Sequence, residues 1–160
     1  LHFTPDLLER LTQQRVARAA VTLHVGWGTF QPIRTTQIEQ HRMTREFYRL
    51  TAPEAAIIAR SRMAGGRVVA VGTTATRTLE TIGQQVGSVT ASSGWSDLFI
   101  YPGYRFQVVD ALVTNFHLPR STLFLLGCAF AGRELMLEAY HTALAAGYRF
   151  YSYGDAMFIQ

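Results

Sequence analysis

The passage from residue 67 to residue 86 restricts the fold of this chain more than any other. Arg67-Val68-Val69-Ala70-Val71 is almost continuously apolar, Gly72-Thr73-Thr74 follows at once, and Leu79, Ile82 and Val86 then recur at helical spacing. An apolar run of that length fits a strand covered on both faces, and a strand that turns sharply into a helix is the building unit of an α/β layer.

The same alternation runs through the rest of the chain. Thr4 reads as an N-cap and Pro5 as a first helical residue ahead of Leu7, Leu8 and Leu11. Residues 21–25 form a β-rich run ended by Gly26 and Gly28. Thr51 and Glu54 have capping-box spacing ahead of a helix that Gly65-Gly66 stops. Further strands are expected at residues 98–101, before Pro102-Gly103, at 111–114, before Asn115-Phe116-His117, and at 148–153, before Gly154-Asp155. Between the last two, residues 123–131 read as a buried helix. Gly132 separates it from an amphipathic helix carrying Leu135, Met136, Ala139 and Ala143, which Gly147 ends.

With 48% hydrophobic and 16% charged residues, 160 residues can bury one core. The expected architecture is a single α/β domain over 1–160, with a mixed, partly parallel sheet flanked by helices.

No apolar stretch reaches the ~20 residues that span a bilayer, and the start shows no secretory signal pattern. The lone Cys128 sits among apolar neighbours, as a packed hydrophobe would. A reducing cytoplasm fits this best. The net charge is +4 and every basic side chain is arginine. Arginine suits phosphate recognition and stacking on bases, although codon bias removes lysine equally well.

Ligands in open α/β sheets gather at the carboxyl ends of strands, which directs attention to the turns. Gly72-Thr73-Thr74 is either a plain N-cap or a turn that offers backbone N–H groups to a ligand. Asn115 and His117 leave a buried strand with an amide and an imidazole, and Asp155 follows a glycine. His24 lies within a strand, and Glu39, His41 and Glu46 form either a tuned polar cluster or a solvated surface. Scattered histidines, a single cysteine and the lack of a nucleophile elbow leave no metal or serine-hydrolase pattern. These residues alone name no reaction.

Six ordered segments carry more information: LHFTPDLL, VTLHVGWGTFQP, IEQHRMTREFY, VAVGTTATRTLE, FIYPGYRFQVVDALVTNFHLPRSTL and YRFYSYGDAMFI. Together they resemble, nearly end to end, the C-terminal half of the S-adenosylmethionine:tRNA ribosyltransferase-isomerase family. The chain departs from the family pattern at Trp27, Thr44, Ala75 and Arg120.

The resemblance implies an α/β domain whose inserted β-barrel domain is largely absent from this chain. It implies transfer and isomerisation of the ribosyl part of S-adenosylmethionine onto 7-aminomethyl-7-deazaguanine at the tRNA wobble position. Epoxyqueuosine forms and adenine and methionine leave, with S-adenosylmethionine consumed as a substrate and no cofactor or metal required. A monomer in the cytoplasm is expected, with tRNA as partner.

Under this resemblance the candidates for proton transfer are His24, His41, His117 and Asp155. Those for substrate binding are His2, Gly26, Gly28, Thr29, Gly72, Thr73, Thr74, Arg77, Tyr101 and Asn115. A non-catalytic tRNA-binding module and an inactive fragment of the enzyme are the alternatives.

Overall fold

A computed structural model describes residues 2–26 and 32–160 of the chain. Gly28 and Thr29 therefore lie outside the described residues.

Helix α1 (Pro5–Gln13) starts as its sequence suggests, with Thr4 Oγ1 accepting the Leu7 N–H at 3.3 Å. Strand β1 (Thr22–His24) pairs antiparallel with β2 (Glu46–Leu50), and β2 pairs antiparallel with β4 (Ser92–Ser96). The second sheet is mixed. Strand β3 (Val69–Val71) runs parallel to β5 (Ala111–Asn115), which pairs antiparallel with β6 (Ala156–Ile159). The partly parallel sheet expected from the sequence is thus β3-β5-β6, accompanied by a separate antiparallel sheet.

Helix α2 (Ala52–Met63) follows β2, and α3 (Thr73–Val86) lies against strands of both sheets, touching β3 and β5 in one and β4 in the other. Enclosure from two sides buries a run of α3 that includes the polar Thr76, Arg77, Thr78 and Glu80 beside Leu79 and Ile82. Helices α4 (Thr122–Ala131) and α5 (Arg133–Ala145) pack on each other, with Leu123, Leu126 and Cys128 buried as expected for an apolar helix. Among the described residues no helix is long and apolar enough to cross a membrane.

Several sequence expectations are corrected. Residues 98–101 pair with no strand among the described residues, and the Leu98 carbonyl accepts instead from Arg77 Nε at 3.0 Å; the strand of this region is β4, in the polar segment Ser92–Ser96. Residues 148–153 belong mostly to a turn that Asp155 closes by accepting the Arg149 N–H at 2.7 Å, and the strand begins only at Ala156. Thr51 makes no side-chain cap bond, and Glu54 instead accepts the Ala20 N–H at 2.8 Å. Finally, β3 is not covered on both faces: Ala70 is buried, whereas Val69 and Val71 are 44% and 48% exposed.

Candidate functional site

The carboxyl ends of β3 and β5 lie side by side, since the Gly72 N–H donates to the Val113 carbonyl at 2.8 Å. Gly72 has φ +92°, a conformation that suits glycine, and this lets the chain swing from β3 straight into α3. Among the described residues no side chain caps α3, so its first-turn N–H groups face the space in front of them.

That space consists of two adjoining clefts, of about 270 and 320 Å³, both lined by Gly72, Thr114, Asn115 and Ser152. The first also takes in Val25, Thr73, Thr74, His117 and Tyr151, and the second His2 and Phe3. Six of the expected site residues, His2, Gly72, Thr73, Thr74, Asn115 and His117, are therefore brought together at one sheet end.

His117 is held through its own loop. Its Nε2 lies 2.7 Å from Thr114 Oγ1, and its backbone N–H donates to the Tyr140 hydroxyl at 2.8 Å. Burial lowers its pKa to about 4. The imidazole is consequently neutral near pH 7, and burial makes its protonated form costly. Burial pushes the Tyr140 hydroxyl up to about 12, so it stays protonated. Of the apolar residues on either side of His117, Phe116 is buried, whereas Leu118 is exposed and lines the first cleft.

Asn115 Nδ2 faces three acceptors: His2 Nε2 at 3.0 Å, the Gly154 carbonyl at 3.2 Å and the Asp155 carbonyl at 3.3 Å. The Asp155 carboxylate turns away, accepting from the Arg149 N–H and from its guanidinium at 3.3 Å. The backbone bond, above all, lowers its pKa, with the guanidinium adding to it. The carboxylate is thus committed to Arg149, and it lines neither cleft.

The other expected residues stand apart from the clefts. His24 lies on β1 with its ring 5.3 Å from that of Phe47. Gly26 donates its N–H to Glu46 Oε1 at 2.9 Å, while its neighbour Val25 reaches the first cleft. Arg77 is buried, its Nη1 3.0 Å from Glu46 Oε2 in an ion pair whose side chains are each 5% exposed. His41 meets Phe99 at 5.1 Å, and Phe99 meets Tyr101 at 5.0 Å, forming a separate aromatic group. The supposed cluster of Glu39, His41 and Glu46 is divided: Glu39 is exposed, His41 packs on Phe99 and Glu46 is buried against Arg77.

Sequence reading missed Thr114, Ser121, Tyr151 and Ser152 as lining residues. Tyr151 carries the least ordinary backbone of these, with φ +70°. Such a conformation in a non-glycine residue often marks a functional turn, but a sequence does not display it. Every arginine except Arg77 is exposed. No group of three or more potential metal ligands occurs among the described residues.

Residues 1–159 match the profile of a family described as queuosine biosynthesis protein. The S-adenosylmethionine:tRNA ribosyltransferase-isomerase of Pelobacter propionicus is 59% identical over all of this chain and 47% of its own length. That of Moorella thermoacetica is 57% identical over 99% of this chain and 46% of its own. A crystal structure of an S-adenosylmethionine tRNA ribosyltransferase from Thermotoga maritima superimposes with a TM-score of 0.83 at 46% identity, over 99% of this chain and 50% of that one. The chain spans about half the length of the curated relatives it matches. A fold, a motif order and a profile match that agree over nearly every residue lead to one conclusion: this chain belongs to the queuosine biosynthesis protein family.

Proposed function

We propose that this chain supplies the strand-end cleft of an S-adenosylmethionine:tRNA ribosyltransferase-isomerase. There the ribosyl group of S-adenosylmethionine would be transferred to, and rearranged on, 7-aminomethyl-7-deazaguanine of tRNA to give epoxyqueuosine, with adenine and methionine released. The observation that carries this reading is the meeting of the α3 N-terminus, Asn115 and His117 in one place. N–H donors, an amide and a neutral imidazole suit a polar nucleoside, which carries acceptors as well as donors, better than a hydrocarbon.

Chemistry of this kind calls for a base beside the sulfonium, where carbon-bound protons are acidic. We give that role to His117, whose imidazole lies in the cleft beside Asn115 and the α3 N-terminus and whose loop is fixed by its Thr114 and Tyr140 contacts. The exposed arginines offer phosphate contacts to tRNA, which makes an electrostatic footprint part of the same reading. Nothing in this route needs a metal.

The test measures adenine released from S-adenosylmethionine in the presence of tRNA carrying the 7-aminomethyl base. It uses the chain alone and the chain joined to the half of the Pelobacter relative that it does not match. Adenine release by the joined protein, lost in His117→Gln, supports the proposal. Release that is unchanged in His117→Gln removes the role given to this residue. A folded joined protein that binds tRNA and leaves S-adenosylmethionine intact favours a non-catalytic tRNA-binding module.

A further inference from the structure

The orientation of an asparagine amide is set by its partners, because one end only donates and the other only accepts. Two of the three groups around one end of Asn115 are backbone carbonyls, those of Gly154 and Asp155, which cannot donate. The NH2 end must therefore point at them, and the oxygen must occupy the other side. His2 Nε2 then accepts from the same NH2, at 3.0 Å. Among the described residues no donor reaches Asn115 Oδ1, and Asn115 lines both clefts.

The two carbonyls depend on a turn that admits only glycine at its tightest point. A Cβ built on Gly154 would lie 2.3 Å from the Arg149 carbonyl oxygen and 2.5 Å from that of Phe150, both backbone atoms that cannot move aside cheaply. The turn is clasped by Asp155, through its carboxylate on the Arg149 N–H at 2.7 Å and through its own N–H on the Arg149 carbonyl at 2.7 Å. Its side chain reaches neither cleft.

We propose that the turn clasped by Asp155 locks the Asn115 amide so that its carbonyl oxygen accepts a hydrogen bond from an amino or hydroxyl group of the ligand in the cleft. Asp155 is then a positioning residue that acts through Asn115. The identity of the ligand rests on the function proposed above; the locking does not.

Locking is read in the free chain by NMR, from solvent exchange of the Asn115 side-chain amide protons, identified by their disappearance in Asn115→Ala. They should exchange slowly in the wild type and in Asp155→Asn, which keeps an acceptor for the Arg149 N–H, and rapidly in Asp155→Ala. Should Asp155→Ala not fold, Asp155→Leu, which also lacks an acceptor, gives the same readout. Fast exchange in the wild type, or slow exchange in the truncated variant, overturns the proposal.

Presentation is read from S-adenosylmethionine affinity in the joined protein. Asn115→Ala and Asp155→Ala should each weaken binding about 10- to 100-fold, as expected for one or two lost hydrogen bonds. The double variant should be no weaker than Asn115→Ala, whereas additive losses would show that Asp155 acts on its own account. If the joined protein binds no S-adenosylmethionine, the proposed function fails and the exchange measurement alone decides whether Asn115 is locked.

Discussion

Replacing Glu80 with glutamine exchanges one atom in a side chain that is fully buried and touches neither cleft. Its Oε1 accepts the N–H groups of Val108 at 3.0 Å and Val109 at 2.9 Å. Its Oε2 accepts the Gln107 N–H at 2.8 Å and the Tyr104 hydroxyl at 3.0 Å. One carboxylate thus fastens the segment that leads into β5, and β5 ends at Asn115. In Glu80→Gln the remaining oxygen can keep Val108 and Val109, and the Tyr104 hydroxyl can rotate to accept. The Gln107 N–H then meets another donor, and three bonds change from charged to neutral. A hydrogen bond to a charged group contributes about 1.5–3 kcal/mol against 0.5–1.5 for a neutral one, and an unsatisfied buried group costs about 1–3. Relief from burying a charge offsets part of that sum, which leaves a destabilisation of about 3 kcal/mol. For a chain of this size the melting temperature should fall by roughly 6–12 °C. Thermal and urea unfolding followed by circular dichroism measure it, with Tyr104→Phe as a milder control near 1 kcal/mol. A Glu80→Gln protein within about 0.5 kcal/mol of wild type would refute the fastening role, since surface substitutions commonly fall in that range.

Gly154→Ala should destabilise by about 1–3 kcal/mol or more, because the new methyl meets backbone oxygens. Gly26→Ala, whose methyl would find nothing nearer than Glu46 Oε1 at 3.9 Å among the described residues, should melt close to wild type. Arg77→Met and Glu46→Leu should each cost about 3–5 kcal/mol by stranding a buried charge, while the double variant should cost less than their sum. His117, with a pKa of about 4 in the folded chain against about 6.5 unfolded, is charged only after unfolding between those values. The unfolded chain therefore binds more protons there, and the contribution of this residue is full above pH 6.5 and declines toward pH 4. His117→Gln should flatten that part of the stability curve in urea melts at stepped pH; an unchanged slope would contradict the burial of a neutral imidazole.

The elements legible in the sequence are those whose side chains obey a single period or a strong cap. Thr4-Pro5 starts α1 as read, and the strand-turn-helix through Gly72 stands where the apolar run places it. Strand β4 escaped because Ser92-Ser93-Gly94-Trp95-Ser96 has little apolar alternation and is defined by its pairing with β2. The polar residues of α3 are enclosed between two sheets and used one by one. Arg77 serves Glu46 and the Leu98 carbonyl, Thr81 lies 2.7 Å from Ser96, and Glu80 holds the 107–109 segment. Long-range partners of this kind leave no periodic trace. The cleft itself was partly legible, because Gly72, Asn115 and His117 stand at or just beyond strand ends, whereas Tyr151 and Ser152 enter it through a turn within residues expected to form a strand.

Mass spectrometry of the tRNA tests the central claim most directly. Transcript carrying 7-aminomethyl-7-deazaguanine is incubated with S-adenosylmethionine and the joined protein, then digested to nucleosides. The 7-aminomethyl nucleoside should disappear and a nucleoside heavier by the rearranged ribosyl group should appear, with adenine and methionine formed in equal amount. A folded protein that binds both substrates and leaves the 7-aminomethyl nucleoside unchanged would contradict the claim.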